Sequence, residues 1–120
     1  MESLSFVNDQ LSSSNLFEAF KLQLTKDFEQ SNFSSLFIKD LPPDYTYILE
    51  KIISELHRSE TKADANLMNL LYRIDISEGQ LKKHLTNHPN ENHLTTIAEL
   101  IIKRVLQKVV IKEYYKRNVN

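Results

Sequence analysis

Residues 96–116 read TIAELIIKRVLQKVVIKEYYK, a run without Gly or Pro. It opens on Thr96 and Glu99, the spacing of a capping box at a helix start. Ile97, Ala98, Ile101, Val105 and Val109 recur at helical spacing. A second stripe of Ile102, Leu106, Val110 and Tyr114 runs beside the first. A helix that is apolar over so much of its girth has to be covered, by the rest of its own chain or by another. Val109, Val110 and Ile111 are β-branched and suit a strand, but they continue the helical stripe with no turn signals beside them. The stretch predicts a long C-terminal helix and sets the fold class.

Working back toward the N-terminus, the same periodicity returns. Thr86 to Asn92 is a loop, broken by Pro89 and several Asn. Ser77 and Gln80 form a capping box, and Ile76 and Leu81 stand where a hydrophobic staple needs them, so a helix carrying Leu81 and Leu85 starts at Ser77. A helix from about Ala63 places Leu67, Leu70, Leu71 and Ile74 on one face. Ser59 to Lys62 is a polar break. Tyr45, Ile48, Leu49, Ile52, Ile53 and Leu56 form another one-sided stripe. Leu41-Pro42-Pro43-Asp44 starts that helix, with Pro tolerated in its first turn. Residues 33–40 hold Phe33, Leu36, Phe37 and Ile38 and fit a helical turn or an extended piece equally. Asn15 and Glu18 read as an N-cap and capping box for a first helix to about Gln30, with Phe17, Phe20, Leu24 and Phe28 on one face. The expectation is an all-α, single-domain bundle of about five helices. Residues 1–14 form a flexible, Ser/Asn-rich segment and residues 15–120 the helical domain.

Composition removes several classes of function. The 120 residues contain no Cys. Disulfides, thiolate nucleophiles, Cys-ligated zinc and iron–sulfur clusters are therefore excluded. One Gly, Gly79, cannot build a glycine-rich phosphate cradle. No GxSxG is present, and the serines lie at caps and in the N-terminal segment. No stretch approaches the roughly 20 apolar residues of a membrane span, and the N-terminus lacks the pattern of a secretory signal. A soluble cytoplasmic protein is the expectation. Net charge is −1 but unevenly spread. Residues 1–60 hold five Lys/Arg against ten Asp/Glu (−5), and residues 61–120 hold ten against six (+4). An acidic first half packing on a basic second half accounts for this; the alternative is a basic patch for an acidic partner.

Two clusters carry possible chemistry. Residues 66–86 place two helices around a short turn, as in a helix-turn-helix that reads DNA. Its groove-facing candidates are Gln80, Lys82, Lys83 and His84, extended by Lys112, Lys116 and Arg117 on the basic last helix. Three positions depart from that motif. Leu71 stands where a small residue is usual, Asp75 replaces the turn glycine, and His84 replaces an apolar residue. The chain also lacks the basic excess of a phosphate binder. The second cluster is His84, His88 and His93 with Glu91. His84 and His88 have the i,i+4 spacing of a zinc pair, but Pro89 interrupts the helix and no third ligand is indicated.

The block from Asn66 to Lys116, with MNLLYRIDISEGQLKKHL and LTTIAELIIKRVLQKVVIKEYYK, resembles short uncharacterised bacterial all-helical proteins. That resemblance covers mainly the second half and implies a small bacterial cytoplasmic protein. It brings no activity, cofactor or catalytic residue. The functional expectation is a non-enzymatic protein–protein interaction module, homodimeric through the last helix. Its interface candidates are Ile102, Val105, Leu106, Val109, Val110, Tyr114 and Tyr115. Nucleic-acid binding through the 66–86 corner is the alternative, and a metal-dependent enzyme at the His84–His93 loop the third reading. No cofactor or small-molecule ligand is indicated.

Overall fold

The computed structural model describes residues 10–58, 64–87 and 92–119, with the side chains of 64, 65 and 117–119 outside that description. Among the described residues, a helical segment at 10–12 is followed by five longer helices: α1 (Ser14–Gln30), α2 (Tyr45–Arg58), α3 (Asp64–Arg73), α4 (Glu78–Asn87) and α5 (His93–Val119). No strand occurs among the described residues. The 27 residues of α5 span about 40 Å at 1.5 Å per residue, close to the 44 Å long axis of the molecule. α1 and α2 lie along α5, α4 packs on it more lightly, and α3 leans on α1.

The first apolar stripe of α5 is covered by its own chain and the second only in its N-terminal part, since Val110 is half-buried and Tyr114 exposed. Ile97, Ala98, Ile101, Ile102, Val105, Leu106 and Val109 are all buried. They meet Phe20, Leu24 and Phe28 of α1, Ile48, Ile52 and Leu56 of α2, and Leu70, Leu71 and Ile74 from the end of α3. Each such aliphatic side chain contributes on the order of 1.5–3 kcal/mol when taken out of water.

The helix ends were the less legible part. α5 begins at His93, not Thr96: Asn92 accepts the Leu94 N–H on its side-chain oxygen at 2.8 Å and the Thr96 N–H on its carbonyl at 3.1 Å. Thr96 is fully buried inside the first turn, so the Thr96–Glu99 box is not the cap. α4 runs on to Asn87, two residues into the expected loop. Pro42 and Pro43 precede α2 and do not form its first turn. Asp44 is the cap, accepting from the Thr46 N–H at 3.2 Å.

At the N-terminus, α1 starts at Ser14 after Ser13, which makes no side-chain cap bond, so the Asn15–Glu18 box is unused. Glu18 pairs instead with Lys21 at 3.4 Å. Residues 10–12 are helical, and Leu11 is fully buried in the core. The packed domain therefore begins before residue 15. Residues 1–9 of the expected flexible segment lie outside the described residues.

Residues 33–40 take neither of the two expected forms. α1 closes with Asn32 at φ 66°. The Phe33 N–H reaches the Phe28 carbonyl at 2.9 Å and the Asn32 N–H reaches that of Glu29 at 3.2 Å. These are the two bonds of a Schellman motif, with Asn supplying the left-handed residue. Its apolar contact is Phe28 on Phe33, ring centres 5.7 Å apart, and Phe37 adds an edge contact to Phe28 at 5.7 Å. Successive turns then bury Ile38 and Leu41. Glu55, itself buried, accepts the Ser34 N–H at 3.3 Å and two bonds from Arg58 at 3.2 and 2.7 Å. The hydrogen bond and the charge of Glu55 hold the Arg58 guanidinium above its ordinary pKa.

Candidate functional site

The corner between α3 and α4 is built by two interlocking end motifs. At the end of α3, Asp75 sits at φ 62°. The Ile76 N–H reaches the Leu71 carbonyl at 2.9 Å and the Asp75 N–H reaches that of Tyr72 at 3.1 Å. This is a second Schellman motif, with Asp in the position usually held by Gly. Short polar side chains are the L-residues that enter this region most readily. Asp75 thus supplies the turn conformation that its departure from the helix-turn-helix pattern put in question.

α4 then opens on the expected capping box. The Ser77 N–H donates to Gln80 Oε1 at 3.0 Å and the Gln80 N–H donates to Ser77 Oγ at 3.0 Å. Ile76 is buried and Leu81 half-buried against the core, as a staple requires. Leu71, at the motif's small-residue position, is buried too. Its bulk forms the floor of an open cleft of about 310 Å³ between α3 and α4. Met68, Tyr72, Ile76 and Leu81 complete the apolar lining, and Glu78 is the charged residue on it. Tyr72 is 83% exposed and Met68 43%.

The nucleic-acid candidates lie on two helices, α4 and α5. Gln80, Lys82 and Lys83 are exposed on α4, and His84 is half-buried. Gln80 shares a shallow groove with Lys103, Arg104 and Gln107 of α5. Lys112 lies on α5, where its Nζ donates to Gln23 Oε1 of α1 at 2.9 Å. Lys116 is exposed beyond it, and the Arg117 side chain lies outside the described residues.

The proposed interface residues divide sharply. Ile102, Val105 and Leu106 are buried in the chain's own core, so they present no face to a second chain in this fold, while the largely buried Val109 borders an open groove with Leu22 and Lys112. Val110 is half-buried against that core. Tyr114 and Tyr115 are exposed, with ring centres 5.9 Å apart and edge-on. Among the histidines, His93 is exposed in the first turn of α5, while His88 and Glu91 lie outside the described residues. No three described His, Asp or Glu residues are placed to hold a metal ion.

Two features escaped the sequence. Asp27 is buried on the apolar face of α1, bonded by Gln23 Nε2 at 3.1 Å and 3.7 Å from the Arg73 guanidinium. Lys108 Nζ donates to the Arg73 carbonyl at 3.4 Å. With Lys112 on Gln23, these contacts tie α1, α3 and α5 together. The signal was present, since position 27 continues the 17, 20, 24 spacing of the buried face. The second feature is Leu22, 73% exposed on α1, and Leu36, 86% exposed in the connector. They flank an open groove of about 370 Å³ lined also by Glu18, Lys21 and Lys39. Leu22 also borders a groove of about 240 Å³ with Lys26, Val109, Lys112 and Glu113.

No helix among the described residues is long and apolar enough to cross a membrane. No family model, curated protein or solved structure matches this chain.

Proposed function

We propose that this chain is a non-enzymatic interaction module of the bacterial cytoplasm that associates with further copies of itself. The observation that carries this reading is the grouping of its exposed apolar side chains. Leu22 and Leu36 flank one open groove, and Met68 and Tyr72 rim another. Apolar side chains scattered singly over a surface need no explanation, but groups bordering concave apolar surface mark contact sites. We place the contact surface on these groups, since α5 spends most of its two stripes on the core.

Light scattering over a concentration series tests the reading. The average mass should rise above the 14.1 kDa of one chain, and a single-chain mass at every concentration up to the solubility limit refutes it.

Nucleic-acid binding is the second reading. It is favoured by the tight Asp75 corner and by the outward Gln80, Lys82 and Lys83. The acidic Asp75 and Glu78 beside them weigh against phosphate contact. Retention on duplex DNA that falls steeply with salt supports it, and no retention at low salt removes it.

A further inference from the structure

We infer that the self-association is head to tail: the Leu22–Leu36 face of one copy receives the Met68–Tyr72 cleft of the next. This rests on the interaction-module reading and adds its geometry. Charge selects the pairing. The two grooves around Leu22 are lined by Lys21, Lys26, Lys39 and Lys112 against Glu18 and Glu113. The α3–α4 cleft has Glu78 on its lining and the exposed Asp75 in the turn beside it. Pairing the Leu22 face with itself opposes two lysine-rich rims, and pairing the cleft with itself opposes Glu78 with Glu78. The unlike pairing sets the lysine-rich grooves around Leu22 against Glu78, the charged residue on the cleft lining, around apolar centres, the arrangement that selects partners and speeds encounter.

The two patches of one copy share no lining residue, as copies joined in series require. Leu22 and Asp27 are five residues apart on α1, about 140° around the helix. Asp27 faces Arg73 at the end of α3, so Leu22 itself lies on another side of α1 from the one that meets α3. Contacts between unlike patches close only if their rotation makes a ring; otherwise they propagate as a chain.

The experiment uses the full chain and two variants, Leu22→Glu and Tyr72→Glu, followed by sedimentation velocity. Both side chains are largely exposed, so both variants should melt as the wild type does. The expected result is a wild-type mass that climbs past two copies with concentration, each variant alone remaining a single chain, and their equimolar mixture forming a species of two copies. That mixture holds one intact cleft and one intact Leu22 face in a single joint, so growth stops at two. A mixture that stays monomeric overturns the head-to-tail pairing, and a single variant that still pairs on its own overturns it too and indicates a contact of like patches. Variants that associate as the wild type does overturn it too, while leaving self-association standing. A wild type that never associates removes both. Should either variant melt early, Leu36→Glu and Met68→Glu repeat the same mixing test on the same two patches.

Discussion

Replacing Leu11 by Ala tests where the packed domain begins. Leu11 is fully buried, three residues before α1, in a segment whose Ser-rich composition predicts flexibility. Truncating a buried Leu to Ala costs about 2–5 kcal/mol, the lost transfer energy plus the cavity left behind. At about 2.1 cal/mol/K per residue, the unfolding entropy of a 120-residue chain is about 0.25 kcal/mol/K. A loss of about 3 kcal/mol then lowers Tm by about 12 °C. The companion variant is Asn15→Ala. Asn15 is exposed within the first turn of α1 and is not its cap, so its removal should change stability by less than about 0.5 kcal/mol. Urea titration and thermal melting followed by far-UV circular dichroism read both. A Leu11→Ala protein as stable as wild type, beside an Asn15→Ala protein weakened by about 1 kcal/mol as a lost cap requires, would refute the placement of residues 10–14 in the core.

Ser77→Ala should cost about 1 kcal/mol in a urea titration, because it removes the acceptor for the Gln80 N–H; a neutral result argues against the box. Asp75→Gly should be neutral or stabilising by up to about 1 kcal/mol, and Asp75→Val destabilising, since only the latter strains a left-handed residue. Equal melting points for those two variants contradict the turn geometry. Val109→Glu places a carboxylate in the core, so the expected outcome is a loss of more than about 3 kcal/mol of stability. A fully stable, monomeric Val109→Glu protein would instead mean that Val109 sits in an interface between chains.

Sequence periodicity was enough for the helices and insufficient for their partners. The stripes on α2 and α5 predicted most of the buried side chains, though not the exposed Tyr114, because a 3.6-residue repeat of apolar groups is best used by covering it. The box at Ser77 and Gln80 was legible because both partners lie within four residues. The caps at Asn15 and Thr96 were misplaced for the converse reason. Several polar residues near each start fit the pattern, and burial of Leu11 and Thr96 by distant parts of the chain chose among them. The connector 33–40 was open because its form depends on Phe28 and Glu55, which lie on two different helices.

The same division runs through the candidate site. Sequence alone determined an all-α chain with a long last helix, a tight corner at 74–77, and no means for thiolate or glycine-loop chemistry. Tertiary structure decided which apolar groups are spent on the core and which remain outside. Ile102 and Leu22 are both aliphatic residues on helices. Yet Ile102 is buried, because α5 is enclosed by α1, α2 and α4, while Leu22 stands exposed on the outer side of α1. Local spacing encodes the shape of each helix, but exposure is a property of where the others come to rest.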